Sequence, residues 1–212
     1  THSFLDYGIH RIRERYYEMM AARIGDSFRS VELRDPCMLV GSKEMYETPH
    51  VSIELVGAGD FEQCKRQLRK LFEQFRGCQQ PPCAMADIPI PPMPTYEDVG
   101  GLRVIAFDHA YRVASAFGRH GFTKLGYLLD DVQHLFTIGW NDAMELYPEA
   151  TSEELIRLPF EGMYVATLLH YGYQLPKETR VGFADSVDGQ SLSWALGAMV
   201  HHAFELCESS VL

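Results

Sequence analysis

The stretch QQPPCAMADIPIPPMPTYEDVGG, residues 79–101, carries six prolines and constrains the fold more than any other segment of the chain. Proline lacks an amide hydrogen and fixes φ, so neither a helix interior nor a central strand can run through such a segment. The chain must therefore be read as two parts with a long loop between them. Loops of this length inside a compact domain are commonly functional or cover a surface. The apolar residues Met85, Ile88, Ile90 and Met93 predict that this loop is ordered and packs over the body of the protein.

In FLDYGIHRIRERYYEMMAARI, residues 4–24, Leu5, Ile9, Ile12, Tyr16, Met19 and Met20 share one stripe, and most of the charged residues lie opposite. That pattern predicts an amphipathic helix. SVELRDPCML and HVSIELVGAGD are short runs bounded by proline and glycine, and they read as two strands. DFEQCKRQLRKLFEQFRG reads as a second helix, with Asp60 at its N-cap, Gln63 completing a capping box and Gly77 ending it.

Beyond the loop the pattern is mostly helical. RVIAFDHAYRVASAFGR, a segment around LLDDVQHLFTIGW, and SEELIRLPFEGMYVATLLHYGY all read as helices, the last opened by Ser152 with Glu154 nearby. Pro159 marks a break or a helix start. TRVGFADSV is the one strand candidate of this half, and SLSWALGAMVHHAFEL is the closing helix. With no internal repeat and no boundary in composition, residues 1–212 read as a single mixed α/β domain with segregated strands.

A formal charge of −10 and an isoelectric point near 5.3 argue against nucleic acid as a partner, because counterion release needs a basic face. No run of about 18 apolar residues is present to span a bilayer. Of the five cysteines, Cys78 and Cys83 bracket CQQPPC, a stretch able to close a small ring. A disulfide is favoured over free thiols there, since a zinc site would need a second ligand pair that the sequence lacks. The lone asparagine, Asn141, lies in NDA, so no N-glycosylation sequon occurs.

Several segments invite a chemical reading. GAGDFEQ resembles the start of a dinucleotide fingerprint, but Glu62 holds the place of the third glycine and Asp60 would repel a pyrophosphate, so a strand-to-helix turn explains it better. His201 and His202 are adjacent, hence about 100° apart on a helix, and cannot chelate one metal as an i, i+4 pair would. FDHAYR puts Asp108, His109, Tyr111 and Arg112 on one or two helical turns, which suits a cleft lining and an exposed helix face equally. Arg157, just before Pro159, reads as a loop guanidinium; it would stack on a base or make a surface ion pair. P-loop, GxSxG and HExxH patterns are absent. The closing helix is apolar nearly all round, with Trp194 among its apolar residues, and so must be buried, as it would be between two domains.

THSFLDYG, RDPC, YETPH, GAGDFEQC, CQQPPCAMADIPIPP and SWALGAM follow one another in a family's order and spacing. Over nearly its whole length the chain resembles the second half of the nucleoside triphosphate diphosphohydrolases, the apyrases and Golgi nucleoside diphosphatases. The WALGA form is closer to the Golgi and intracellular branch. The resemblance implies two RNase H-like lobes of the actin and sugar kinase superfamily, with the nucleotide between them. Here it implies one such lobe, a mixed sheet with a helix-rich C-terminal half. The implied reaction is hydrolysis of nucleoside di- or triphosphates to a monophosphate and phosphate with Ca2+ or Mg2+.

In that family the two phosphate-binding glycine loops and the water-activating glutamate precede the point where Thr1 falls. The resemblance therefore implies that this chain is the nucleoside-binding second lobe, that it holds no catalytic residue or direct metal ligand, and that its partner is an N-terminal lobe of the same polypeptide. Trp194 matches a tryptophan near the metal's water shell. Tyr111, in the place of an aromatic that stacks on the base, is the implied stacker, and Asp108 replaces a serine. Arg157 lies close to a base-sandwiching arginine. Cys37 with Cys64 and Cys78 with Cys83 match disulfide positions, and Cys207 has no counterpart. The implied substrates are of the UDP, GDP, ADP and ATP class. The implied setting is the Golgi lumen or the extracellular face, with membrane attachment only through segments outside this chain. A non-catalytic nucleotide binder or a secreted interaction module of the same fold is the alternative.

Overall fold

The computed structural model describes residues 4, 6–22, 30–47, 52–72, 78, 80–85, 88–90, 104–187 and 189–191. The first helix, α1, spans Ile9–Ala21 and buries Ile12, Tyr16 and Met20, one residue per turn. It starts later than the apolar stripe predicts. Asp6 takes a positive φ of 69° and Gly8 is extended, so the chain turns before the helix can begin.

Strands β1 (Ser30–Asp35), β2 (Lys43–Glu47) and β3 (Ser52–Gly57) form a sheet in the order β1-β3-β2. β1 runs parallel to β3, with Leu33 opposite Leu55, and β2 runs antiparallel to it, with Tyr46 opposite Ile53. β3 alternates as a half-buried strand should, burying Ile53, Leu55 and Gly57. Gly57 is required by space, because a Cβ there would stand 1.8 Å from the Leu39 carbonyl oxygen. β2 was not legible as a strand, since it buries none of its residues fully.

Helix α2 (Phe61–Phe72) follows, and the Asp60 carboxylate accepts from the Gln63 amide at its start as expected, but Gln63 does not complete a capping box, because the Asp60 amide donates to the Pro36 carbonyl. Gly77 lies outside the described residues. A disulfide joins Cys37, beyond β1, to Cys64 on α2, and another joins Cys78 to Cys83. Within the proline-rich segment Ala84 and Met85 are buried and Ile90 packs on the main core, as expected of an ordered cover. Met93 and residues 91–103 lie outside the described residues.

The second half corrects the reading in several places, first in its strands, for which the sequence offers one candidate and the structure has more. Residues read as the start of a helix form strand β4 (Val104–Ala106), and helix α3 occupies only His109–Ala116. β4 pairs parallel with β6 (Arg180–Phe183), and β5 (Gly121–Lys124) pairs antiparallel with β6 from the other side. The order β4-β6-β5 repeats the topology of the first sheet. A tight antiparallel pair, β7 (Ser186–Val187) with β8 (Gln190–Ser191), comes after β6.

Helices α4 (Leu125–Leu135) and α5 (Trp140–Leu146) lead to α6 (Ser152–Thr167), which packs against α2, α3, α4 and α5. Thr151, not Ser152, caps α6: its hydroxyl accepts from the Glu154 amide while the Glu154 carboxylate accepts from the Thr151 amide. Pro159 neither breaks nor starts a helix. It removes one backbone bond, yet α6 runs through it because Leu158, Pro159, Phe160 and every residue from Gly162 to Thr167 are buried against neighbouring elements. A π-helical turn, Leu168–Gly172, extends it. The main core joins both halves, with Tyr16 and Phe72 from the first and Val132, Tyr164 and Phe183 from the second.

Candidate functional site

An opening of about 730 Å³ lies between α3 and the first turns of α6, with the Leu146–Thr151 connection as its third wall. Direct packing of α3 on α6 closes its base. The small residues Ser115 and Ala116 line it together with Leu158, so the α3 backbone can be approached closely. Arg112 on α3 and Arg157 and Glu161 on α6 line it too, and Tyr147 supplies an aromatic wall, its ring edge-on to Phe117.

Arg157 and Glu161 are four residues apart and share one face of α6. Glu161 is mostly buried, and charges from neighbouring elements surround it. Arg13 of α1 stands 3.9 Å away and the Nε2 of His109 3.5 Å away. Burial raises the Glu161 carboxyl above its ordinary range, against the opposing pull of Arg13, Arg112, Arg157 and His10. Burial and the nearby Arg112 push the His109 imidazole down to about 4, so it is neutral at pH 7. The Arg112 guanidinium donates to His109 Nδ1 over 2.9 Å.

Buried polar atoms collect at this place. Ser115 Oγ, Arg157 Nε and His109 Nε2 have no hydrogen-bond partner among the described residues. Unsatisfied buried groups are rare in folded proteins, and groups that await a ligand or water are one recognised source of them. The cleft lining thus sets the Arg112 and Arg157 guanidinia beside the Glu161 carboxylate, with Ser115 Oγ and Arg157 Nε buried beneath its surface.

Of the residues that the sequence marks, Arg157 lies in the cleft, but in the second turn of a helix and not in a loop. It pairs with Glu153 one turn back. Asp108 sits exposed between β4 and α3 at φ 54°, ψ −117°, a conformation costly for a residue with a Cβ, and its side chain does not cap the helix. Tyr111 is half-buried against the main core and does not line the cleft. Trp194, the closing helix and Cys207 lie outside the described residues. Glu161 and Ser115 were not singled out from sequence; the one available signal was the i, i+4 spacing of Arg157 and Glu161.

Ca2+ and Mg2+ are held by several oxygen ligands, usually carboxylates. Among the described residues no group of three or more His, Cys, Asp or Glu side chains could hold a metal ion. The described residues thus do not fit a metal centre. Among them, too, no helix is long and apolar enough to cross a membrane.

A mixed α/β chain with two short mixed sheets and a polar cleft beside a long central helix fits many ligand-binding proteins. The particular family is given by comparison: residues 1–210 match the model of the GDA1/CD39 (nucleoside phosphatase) family, and the chain belongs to it. It is 22% identical over 98% of its length to nucleoside-diphosphatase mig-23 of Caenorhabditis elegans. Identity is 25% over 95% of the chain to ectonucleoside triphosphate diphosphohydrolase 1 of Mus musculus, and 24% over 95% to the Golgi apyrase of Saccharomyces cerevisiae. The chain spans 40%, 41% and 35% of the lengths of these three relatives.

Proposed function

We propose that this chain is the nucleoside-binding second lobe of a nucleotide phosphohydrolase, with an RNase H-like fold of the actin and sugar kinase superfamily. The intact protein hydrolyses nucleoside di- or triphosphates to a monophosphate and phosphate with the help of Ca2+ or Mg2+. The phosphate-handling groups belong to an N-terminal lobe of the same polypeptide. The observation that carries this reading is the cleft between α3 and α6, where the Arg112 and Arg157 guanidinia and the Glu161 carboxylate line one opening in a chain of the nucleoside phosphatase family. Such a mixture suits the neutral, hydrogen-bonding base of a nucleotide better than its phosphates, since Glu149, Glu153, Glu154 and Glu161 also line the opening and would repel them.

Arg157 takes the base from the α6 side; the family resemblance adds Asp108, Tyr111 and Trp194 to the nucleoside-contacting set, of which Asp108 and Tyr111 lie outside the lining of this cleft and Trp194 outside the described residues. The two disulfides support an oxidising setting, the secretory lumen or the cell exterior, with any membrane anchor supplied elsewhere in the polypeptide.

The test is phosphate release by the protein from UDP, GDP, ADP and ATP with calcium, magnesium or chelator. Metal-dependent release is expected, together with loss of nucleotide affinity in Arg157→Ala. Nucleotide binding without release would make the protein a non-catalytic nucleotide binder, and absence of binding would overturn the reading altogether.

A further inference from the structure

We propose that the outer face of α2 is a docking surface for a sulfated polysaccharide, with Lys65, Arg66, Arg69 and Lys70 as the contacting cations. In CKRQLRKLF these four stand at i, i+1, i+4 and i+5, a spacing that gathers them on one side of a helix. Arg66 and Lys70 are exposed, and Lys65 and Arg69 are half-buried. The opposite side is committed to the fold: Cys64, Gln67, Leu68, Leu71 and Phe72 are buried, and Cys64 is tied to Cys37.

Without a partner the stripe works against its own helix. Lys65 with Arg69, and Arg66 with Lys70, are like charges four residues apart, which destabilise a helix. The helix dipole accounts for Arg69 and Lys70 in the last turn but leaves Lys65 and Arg66 unexplained. Glu62 pairs with Lys65 at 2.7 Å, and that bond, with the charges of Lys65, Arg66 and Arg69, holds its carboxyl below the ordinary range. Arg66, Arg69 and Lys70 have no ion-pair partner among the described residues. Aromatic faces position two of the cations, Lys65 at 5.0 Å over Phe61 and Arg69 at 5.1 Å over Tyr171, and such contacts leave the positive charge in place.

The chain carries a formal charge of −10, so a polyanion is repelled by the protein as a whole and drawn to a strip such as this one. Arginine forks and lysine ammonium groups suit tetrahedral oxyanions, sulfate and phosphate alike. The two disulfides favour the sulfated polymer. They suit an oxidising lumen or the cell exterior, where nucleic acid is not the resident polyanion, and the anionic leaflet of a membrane faces the cytoplasm. Nor has α2 a free apolar face to lay into a bilayer. Lys65 and Arg69 also line an apolar hollow of about 40 Å³ between α2, α4 and α6. That is room for about three waters and not for a sugar ring, so the sugar chain lies along α2 and is held by charge. Basic runs of this length are a recognised form of heparin patch.

The experiment measures binding of the whole protein to heparin by calorimetry across a series of salt concentrations. Log Kd should rise with log salt with a slope of roughly 3, as four cations on a flexible polyanion require. Arg66→Gln/Lys70→Gln changes two exposed positions, where substitution costs the fold little. It should weaken binding about tenfold or more and roughly halve the slope. Lys124→Gln/Lys177→Gln removes the same charge from two exposed lysines elsewhere and should leave affinity within about twofold. Heparin stripped of its sulfate groups should not compete. Equal losses in the two double variants would reduce the effect to net charge and overturn the proposal. So would competition by desulfated heparin, tighter binding of duplex DNA or of phosphatidylserine vesicles, or no heparin binding by the wild type.

Discussion

Arg112 donates to Nδ1 of His109 across 2.9 Å, and a guanidinium has no lone pair to offer in return, so that nitrogen carries no proton. Neutral His109 must then hold its proton on Nε2, the atom that faces Glu161. One hydrogen bond on α3 thereby sets which edge of the imidazole stands 3.5 Å from the α6 carboxylate.

That arrangement predicts a pH dependence of known sign. His109 is depressed from 6.5 to about 4, with burial the larger cause and Arg112 the next. A depressed histidine contributes stability that is complete above the unfolded value and lost as pH falls through the folded one. The difference in unfolding free energy between wild type and His109→Gln should be constant above about pH 7 and shrink between pH 6.5 and about 4. Denaturant midpoints across that range measure it, and a difference independent of pH would show that His109 is not buried as a neutral imidazole.

Asp35 predicts the opposite slope. It is buried at the end of β1, and its Oδ1 accepts from the Tyr16 hydroxyl at 2.6 Å and from the Cys37 amide at 2.7 Å. Burial outweighs both bonds and raises its pKa to about 6. A raised carboxyl stabilises the fold when protonated, and that contribution is lost as pH climbs from the ordinary value near 3.8 through about 6. The stability of wild type relative to Asp35→Asn should fall by roughly 3 kcal/mol across that window and then level off, since each tenfold change in proton affinity is worth about 1.4 kcal/mol. Calorimetric unfolding from about pH 4 to 7 on both proteins gives the answer; a rising difference would mean that the two donors win over burial.

The two disulfides should differ in worth. Cys37–Cys64 spans 27 residues and Cys78–Cys83 only 5. On the loop-entropy account their loss costs roughly 3.5 and roughly 2 kcal/mol respectively. The longer one also leaves two side chains with no exposure at all, so replacing both with alanine opens space in the core. Urea titration of Cys37→Ala/Cys64→Ala against Cys78→Ala/Cys83→Ala should rank them in that order, and mass mapping without reduction should find Cys78 joined to Cys83.

Where burial alternates strongly, the sequence was informative, and where it does not, it misled. β3 and β6 carry their core residues in recognisable runs, and α1 keeps one buried residue per turn. β4 is three residues long and flows into α3, so its Val104, Ile105 and Ala106 read as helix, and β5 is short with no fully buried residue. The spacing of Cys78 and Cys83 was legible locally, whereas Cys37 and Cys64 meet only because the turn after β1 packs on α2, and resemblance alone suggested that pair. The cleft was the least legible feature. A glutamate such as Glu161 reads as a solvated helix face, and only the packing of α1 and α3 around α6 reveals Arg13 and His109 beside it. Pro159 hid Arg157 in an expected loop, because local backbone chemistry carries no information about how much apolar surface holds α6 straight.

Thr151 joins that packing to the cleft wall. Its hydroxyl accepts from the Glu154 amide at 3.2 Å and donates to the Glu154 carboxylate at 2.8 Å, closing a capping box at the point where the Tyr147–Thr151 connection enters α6. Loss of an N-cap threonine typically costs about 1 kcal/mol, and serine preserves the bond. Thr151→Ala should therefore lower stability by about that amount and Thr151→Ser should restore most of it. Because Tyr147, Thr151 and Glu154 all line the opening, Thr151→Ala should also weaken nucleoside binding several-fold without abolishing it, with Thr151→Ser again near wild type. Equilibrium unfolding and nucleoside titration on the same preparations test the two together. A stability loss with unchanged affinity would place the capping box outside the binding surface and confine the nucleoside to the α3 side of the cleft.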